Sequence, residues 1–185
     1  MTHDAQVRII VGLGNPGPEY EHTYHNTGAL SLPFIAAGLG TEENPLAFVR
    51  YKKSFAYAKT GTWVFVKPLV YMNESGGAVK DALKVFKAAP GNLAVAHDDS
   101  DLTIGSFKIA MGGGAAGHNG IRSIVEQIGT QEFLRIRIGI RAAHEAHRKK
   151  AGEFVLSTIT PANMKTLKEA FGAAARALPE KWPST

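Results

Sequence analysis

The chain has 185 residues, 44% of them hydrophobic and 20% charged, with a formal net charge of +5 and a sequence pI near 9.5. That length suits one domain with a sizeable core, and no apolar run approaches the ~20 residues of a membrane span. With no cysteine, disulfides, thiolate metal sites and a cysteine nucleophile are excluded, which fits a reducing cytoplasm.

Met1 to Arg8 carry His3, Asp4 and Arg8 without an apolar signal core, so export is not expected. Val7–Leu13 reads as a buried strand, followed by a long polar loop and a short helix over Gly28–Leu39. Pro33 is expected in the first turns of that helix, where a missing N–H costs least. Phe48–Lys59 and Trp63–Lys67 alternate as two strands around a Thr60-Gly61 turn. Val79, Ala82, Leu83 and Phe86 recur at helical spacing, predicting an amphipathic helix that ends near Pro90-Gly91. Leu93–His97 is a short apolar strand running into "HDDSD", whose acids read as turn residues or a weak cation site.

Phe107–Ala110 predicts a further strand. Ile121, Ile124, Val125 and Ile128 then share a helix face that Gly129 terminates. Phe133–Ile140 alternates isoleucines and leucine with Arg135, Arg137 and Gly139, predicting a half-buried strand with both arginines on its polar face. "RAAHEAHRKK" has no core periodicity and is expected to be a mobile loop. Thr160 as N-cap and Pro161 at the first helical position open a last helix with Met164, Leu167, Phe171, Ala174 and Leu178 as its stripe. Strands and helices interleave without repeat or linker. The expected fold is therefore α/β, a single domain over 1–185 with a twisted, mixed, mostly parallel sheet flanked by helices.

Charge is unevenly placed. Residues 1–50 hold two Lys/Arg against five Asp/Glu, whereas residues 104–150 hold eight against three. A basic half favours a polyanionic partner, the alternative being a solvated basic face. No aromatic-rich RNA-binding signature accompanies it.

Gly12-x-Gly14-x-x-Gly17 after the first strand has the outline of a dinucleotide-binding turn. Two context tests fail. Pro16 and Pro18 bracket Gly17 where a helix should begin, and no acid closes a strand ~20 residues on, since Glu42 and Glu43 fall in a predicted loop. Gly112–Gly117 lacks the Gly-Lys-Ser/Thr of a phosphate loop, and no Gly-x-Ser-x-Gly elbow exists. What remains are the loops "GNPG", "YHNTG", "YMNESGG", "HDDSD" and "GHNG", dense in Asn, His and Asp. Taken singly, such asparagines are more often turn formers or helix caps. Together, neutral amides suit holding a carbonyl or oxyanion while a histidine moves a proton.

The motifs "VGLGNPGPEYEHTYHNTG", "VKPLVYMNESGGAV", "AHDDSDLTIGSFKI", "MGGGAAGHNGIRSI" and "FLRIRIGI" stand in this order from Val7 to about Leu178. In this the chain resembles the bacterial-type peptidyl-tRNA hydrolases. The resemblance implies a cytoplasmic, monomeric, metal-independent and cofactor-free enzyme that hydrolyses the ester between a peptide and the tRNA 3′ end, recycling tRNA from aborted translation. It implies His25 as the base activating water, with Asp98 orienting it. Asn15, Asn73 and Asn119 would hold peptide and carbonyl, Tyr20 the tRNA 3′ end, and Asn26 loop geometry or substrate. His118 would order its loop or line the substrate. Lys108 and Arg137 would grip tRNA phosphate. His97 and His118 beside Asp98, Asp99 and Asp101 raise a metal site as an alternative, but no metal-type spacing appears, and none is expected.

Three features depart from the family pattern. Tyr24 stands where an arginine is usual. Ala110 replaces a lysine of the phosphate clamp. The chain stops soon after Trp182, short of the usual tail. Tyr24 and Ala110 leave a second reading: an RNA-binding protein on the same scaffold with impaired turnover.

Overall fold

The structure is a computed structural model describing residues 6–41, 46–142 and 154–182. Seven strands form one sheet in the order β2-β3-β4-β1-β5-β7-β6. They are β1 (Arg8–Gly12), β2 (Val49–Tyr51), β3 (Phe55–Thr60), β4 (Trp63–Pro68), β5 (Leu93–Thr103), β6 (Phe107–Met111) and β7 (Leu134–Arg141). The central strands β4, β1, β5 and β7 run parallel. The edges are antiparallel: β3 and β2 follow β4 on one side, and β6 returns on β7 at the other.

Parallel strands covered on both faces need apolar residues throughout, and β1 supplies them. Ile10 joins Ala94, Ala96, Ile136 and Ile138 under helices α1 (Thr27–Gly38) and α4 (Pro161–Lys181). Ile9 and Val11 join Val64, Val66 and Val95 under α2 (Ser75–Val85) and α3 (Asn119–Ile128). The result is a helix–sheet–helix sandwich with two apolar cores. Among the described residues no helix is long and apolar enough to cross a membrane.

Close approach at α1 sets up the site. A Cβ on Gly28 would lie 2.2 Å from the Ala96 carbonyl oxygen, and one on Gly12 would lie 2.5 Å from the Gly28 oxygen. Only hydrogen side chains let the start of α1 sit directly on β1 and β5. That contact brings the turn before α1 to the end of β5. Loops after β1 and β4 and the start of α3 reach the same region, where open α/β sheets place their sites.

Several expectations need correction. The single strand over Phe48–Lys59 is two, because the chain reverses at Lys52, whose φ is 53°, and folds β2 back on β3 as an antiparallel pair. Pro33 is the seventh residue of α1 and lies inside the helix, not in its first turns. The helix over Val79–Phe86 ends at Val85, short of Pro90-Gly91. "HDDSD" is not a turn but the continuation of β5, with a register shift only between Asp99 and Thr103. Nor does β7 present an exposed polar face. With α4 over its isoleucines and Gly114 and the Phe133 ring against Arg135, it is buried through Ile140 except for partly exposed Arg137. The loop expected at 142–150 lies almost wholly outside the described residues.

Candidate active site

His25 sits in a one-turn 3-10 segment, Tyr24–Asn26, directly ahead of α1. The turn's backbone is held by the segment just ahead of α4. The His25 N–H donates to Val155 O at 2.7 Å, and Tyr24 N–H to Ser157 O at 3.2 Å. Tyr24, where the family pattern has arginine, is buried and stacks on Phe154 with ring centroids 4.7 Å apart. Its hydroxyl accepts from Asn163 Nδ2 at 2.5 Å. An apolar ring with a polar tip therefore ties the turn to α4 and the segment before it.

Asp98, 4% exposed, is the hub. One oxygen, Oδ1, accepts from His25 Nδ1 at 2.9 Å and from His118 Nε2 at 3.0 Å. Burial alone would raise the carboxyl's pKa. Electrostatic attraction and a hydrogen bond from His118, then from His25, outweigh it and hold Asp98 well below the usual carboxylate range.

The three histidines here are not equivalent. His118 is the N-cap of α3, its Nδ1 accepting from the backbone N–H of Gly120 and Ile121. The lone pair on Nδ1 is thereby committed, and the proton must reside on Nε2, facing Asp98. His97 donates from Nδ1 to the Asp98 carbonyl at 2.9 Å, and its buried Nε2 has no partner among the described residues. Burial, then neighbouring His118, pushes its pKa down to about 3, so it stays neutral. His25 alone combines a carboxylate on Nδ1 with an Nε2 that no described residue occupies.

The asparagines divide into support and presentation. Asn26 is buried, its Oδ1 accepting from Asn15 N–H at 2.8 Å and its Nδ2 donating to Asn15 O at 3.0 Å. Both ends of that amide are spent on the loop, so Asn26 is a scaffold residue rather than a substrate contact. Asn15 in turn accepts from Met72 N–H on Oδ1 at 2.8 Å, which leaves its NH2 available and links it to the Met72–Glu74 turn carrying exposed Asn73. Asn119, first residue of α3, accepts from Arg122 on Oδ1 at 2.6 Å and likewise presents its NH2. Tyr20 stands edge-on to Tyr71 with centroids 6.4 Å apart.

A cleft of about 470 Å³ opens beside His25, Asp98 and His118, with His97, Asn119, Asp99, Arg135, Arg137, Ala110 and Gly112–Gly117 around it. Asn15, Asn73 and Tyr20 do not line it. Arg137 Nε donates to the Asp99 carboxylate. Lys108 lies opposite Arg137 in the β6–β7 register and is exposed. Arg135, expected on a polar face, is only 3% exposed. It is the residue whose place in the cleft sequence reasoning missed, although its alternation with Arg137 could have flagged it.

The nearest arrangement to a metal site is His25, Asp98 and His118, whose donor atoms lie within 4.8 Å of one another. Both imidazole atoms involved face the carboxylate as N–H donors, which makes this a hydrogen-bonded triad rather than a ligand set.

Residues 9–184 match the family model described as peptidyl-tRNA hydrolase. A peptidyl-tRNA hydrolase of Mycobacterium tuberculosis is 42% identical over 163 residues, covering 85% of this chain and 82% of the relative. One from Lactobacillus delbrueckii subsp. bulgaricus is 40% identical over 169 residues, covering 89% and 87%. The crystal structure of peptidyl-tRNA hydrolase from Acinetobacter baumannii superposes with a TM-score of 0.79 at 28% identity, covering 98% and 95% of the two chains.

Proposed function

Because the chain belongs to the peptidyl-tRNA hydrolase family, we propose that it hydrolyses the ester between a peptide, or an N-blocked amino acid, and the tRNA 3′ end through a water activated by His25. The observation that carries this reading is the His25–Asp98 bond at 2.9 Å. It places the proton on Nδ1 and leaves the Nε2 lone pair to take one from water. His118 cannot serve instead, because its Nδ1 caps α3, and His97 is too weak a base.

The water oxygen bonds to the ester carbonyl carbon as its proton passes to Nε2. The imidazolium is stabilised by ionised Asp98. The available NH2 groups of Asn15 and Asn119, with Asn73, meet the peptide and the oxyanion. Collapse breaks the bond to the ribose oxygen, which takes the proton back from His25 and leaves as free tRNA. His118 orients Asp98 and lines the cleft, and Tyr20 supports the tRNA 3′ end. Lys108 and Arg137, side by side on β6 and β7, meet tRNA phosphate, with Asp99 fixing the Arg137 fork. The whole chain, 1–185, acts as one domain, a monomer in the cytoplasm, with no cofactor.

The test is single-turnover release from labelled N-acetyl-aminoacyl-tRNA. Wild type is expected to release the label, and His25→Ala to lose about 10²–10⁴-fold in rate while staying folded. Binding without release by wild type would favour the RNA-binding module. Full activity in the variant would remove His25 from the chemistry.

A further inference from the structure

Arg135 is a buried cation whose hydrogen bonding is incomplete. Its Nη1 donates to Gly114 O at 2.7 Å, and its guanidinium lies 4.8 Å from the Phe133 ring centroid. Nε and Nη2 are buried and have no partner among the described residues. A buried guanidinium with two unmet N–H groups is costly unless something fills them. No ion pair among the described residues does so: Asp99 is taken by Arg137, and Asp98 by the two histidines.

The surroundings fit a polyatomic anion. Arg135 lines the same cleft as His25. Across the β6–β7 ladder it faces Ala110, a side chain too small to fill the space or compete for the anion. At the rim, Cβ atoms on Gly113 and Gly114 would meet nothing within 4 Å. Burial, then the neighbouring Arg137, works against the charge of Arg135, a cost that a bound anion would offset. A cleft of about 470 Å³ is in the range that holds a small-molecule-sized ligand.

We infer that Arg135 binds the phosphodiester next to the scissile ester, on the 3′-terminal nucleotide of the substrate, as a site separate from the Lys108–Arg137 pair. This rests on the hydrolase reading, since the ester at His25 is what brings a nucleotide into the cleft. The terminal ribose carries the reacting ester on one side and its own phosphate on the other. A cleft with His25 and Arg135 on its walls matches that order. The fork geometry of arginine suits two phosphate oxygens through the two free N–H groups. Arg135 is thus a positioning residue for the terminal ribose.

The test compares two N-acetyl-aminoacyl esters, one of adenosine, which has no phosphate, and one of the dinucleotide CpA, which has one. Wild type is expected to favour the CpA ester by about 10- to 100-fold in kcat/KM. Arg135→Met should erase most of that preference while lowering the adenosine ester by less than about threefold, and Arg135→Lys should restore part of it. With full tRNA, the Arg135→Met penalty should be the same whether or not the tRNA carries its 5′-terminal phosphate. Adenosine 5′-monophosphate should inhibit wild type more strongly than adenosine, a measurement independent of any variant's folding. The inference is overturned by equal wild-type rates on the two esters, by equal losses on both in Arg135→Met, or by a tRNA penalty that vanishes with the 5′ phosphate. If wild type cleaves no ester at all, the hydrolase reading fails, and calorimetry of adenosine 5′-monophosphate against adenosine still decides the anion site.

Discussion

His97 ties stability to pH between pH 5 and pH 7, above the range where the other shifted acid, Asp98, titrates on unfolding. Its ring is 5% exposed, and its pKa falls from 6.5 to about 3 on folding. The folded state therefore binds fewer protons than the unfolded state between these values, so stability is fully present above pH 6.5 and is lost as pH falls toward 3. At pH 5 the unfolded imidazole is protonated and the folded one is not. The difference from pH 7 amounts to about 2 kcal/mol. Asp98, whose pKa is also lowered on folding, has an unfolded value near 3.8 and adds almost nothing at pH 5. His97→Asn keeps a donor for the Asp98 carbonyl and removes the titration. Urea unfolding at pH 7 and pH 5 should show wild type losing about 2 kcal/mol and His97→Asn less than about 0.5 kcal/mol. The variant's lower intercept, from the smaller side chain, does not matter to the comparison. An unchanged pH slope in His97→Asn would show that His97 is not the titrating group.

Two further substitutions probe the site from either side. Asp98→Asn can keep an oxygen facing both imidazoles but not the charge, so kcat should fall about 10- to 100-fold, less than in His25→Ala. A variant that keeps the wild-type kcat would count against Asp98 as the partner of His25. Tyr24→Phe removes the hydroxyl that Asn163 donates to, which should cost about 1 kcal/mol and lower Tm by about 2–4 °C. Because the backbone bond from His25 to Val155 survives, kcat should stay within about twofold, and a tenfold fall would place the Tyr24 hydroxyl in the chemistry.

Much of the fold was legible because its elements are periodic. The isoleucines of α3 and the stripe of α4 mark their buried faces from spacing alone, and Thr160 does cap α4, its hydroxyl accepting from Asn163 N–H. What spacing could not show was how many neighbours a strand acquires. Alternation in β7 implied a wet face, yet the glycine loop at Gly114 and the Phe133 ring close over Arg135. Acids in "HDDSD" imply a turn, yet Asp98 and Asp99 are affordable within β5 because imidazoles and Arg137 meet them. The role of Tyr24 was illegible for another reason: its partners Phe154 and Asn163 lie far along the chain. Motif resemblance supplied the candidate residues; the tautomers that separate His25 from His97 and His118 come only from backbone contacts in three dimensions.

The His25 turn is completed by a segment made much later. His25 N–H waits for Val155, 130 residues on, and Ile159 N–H closes back onto His22 O. During synthesis every protein, this one included, is itself a peptidyl-tRNA. The brace on the turn that carries the proposed base is therefore absent until the chain has been made through Ile159.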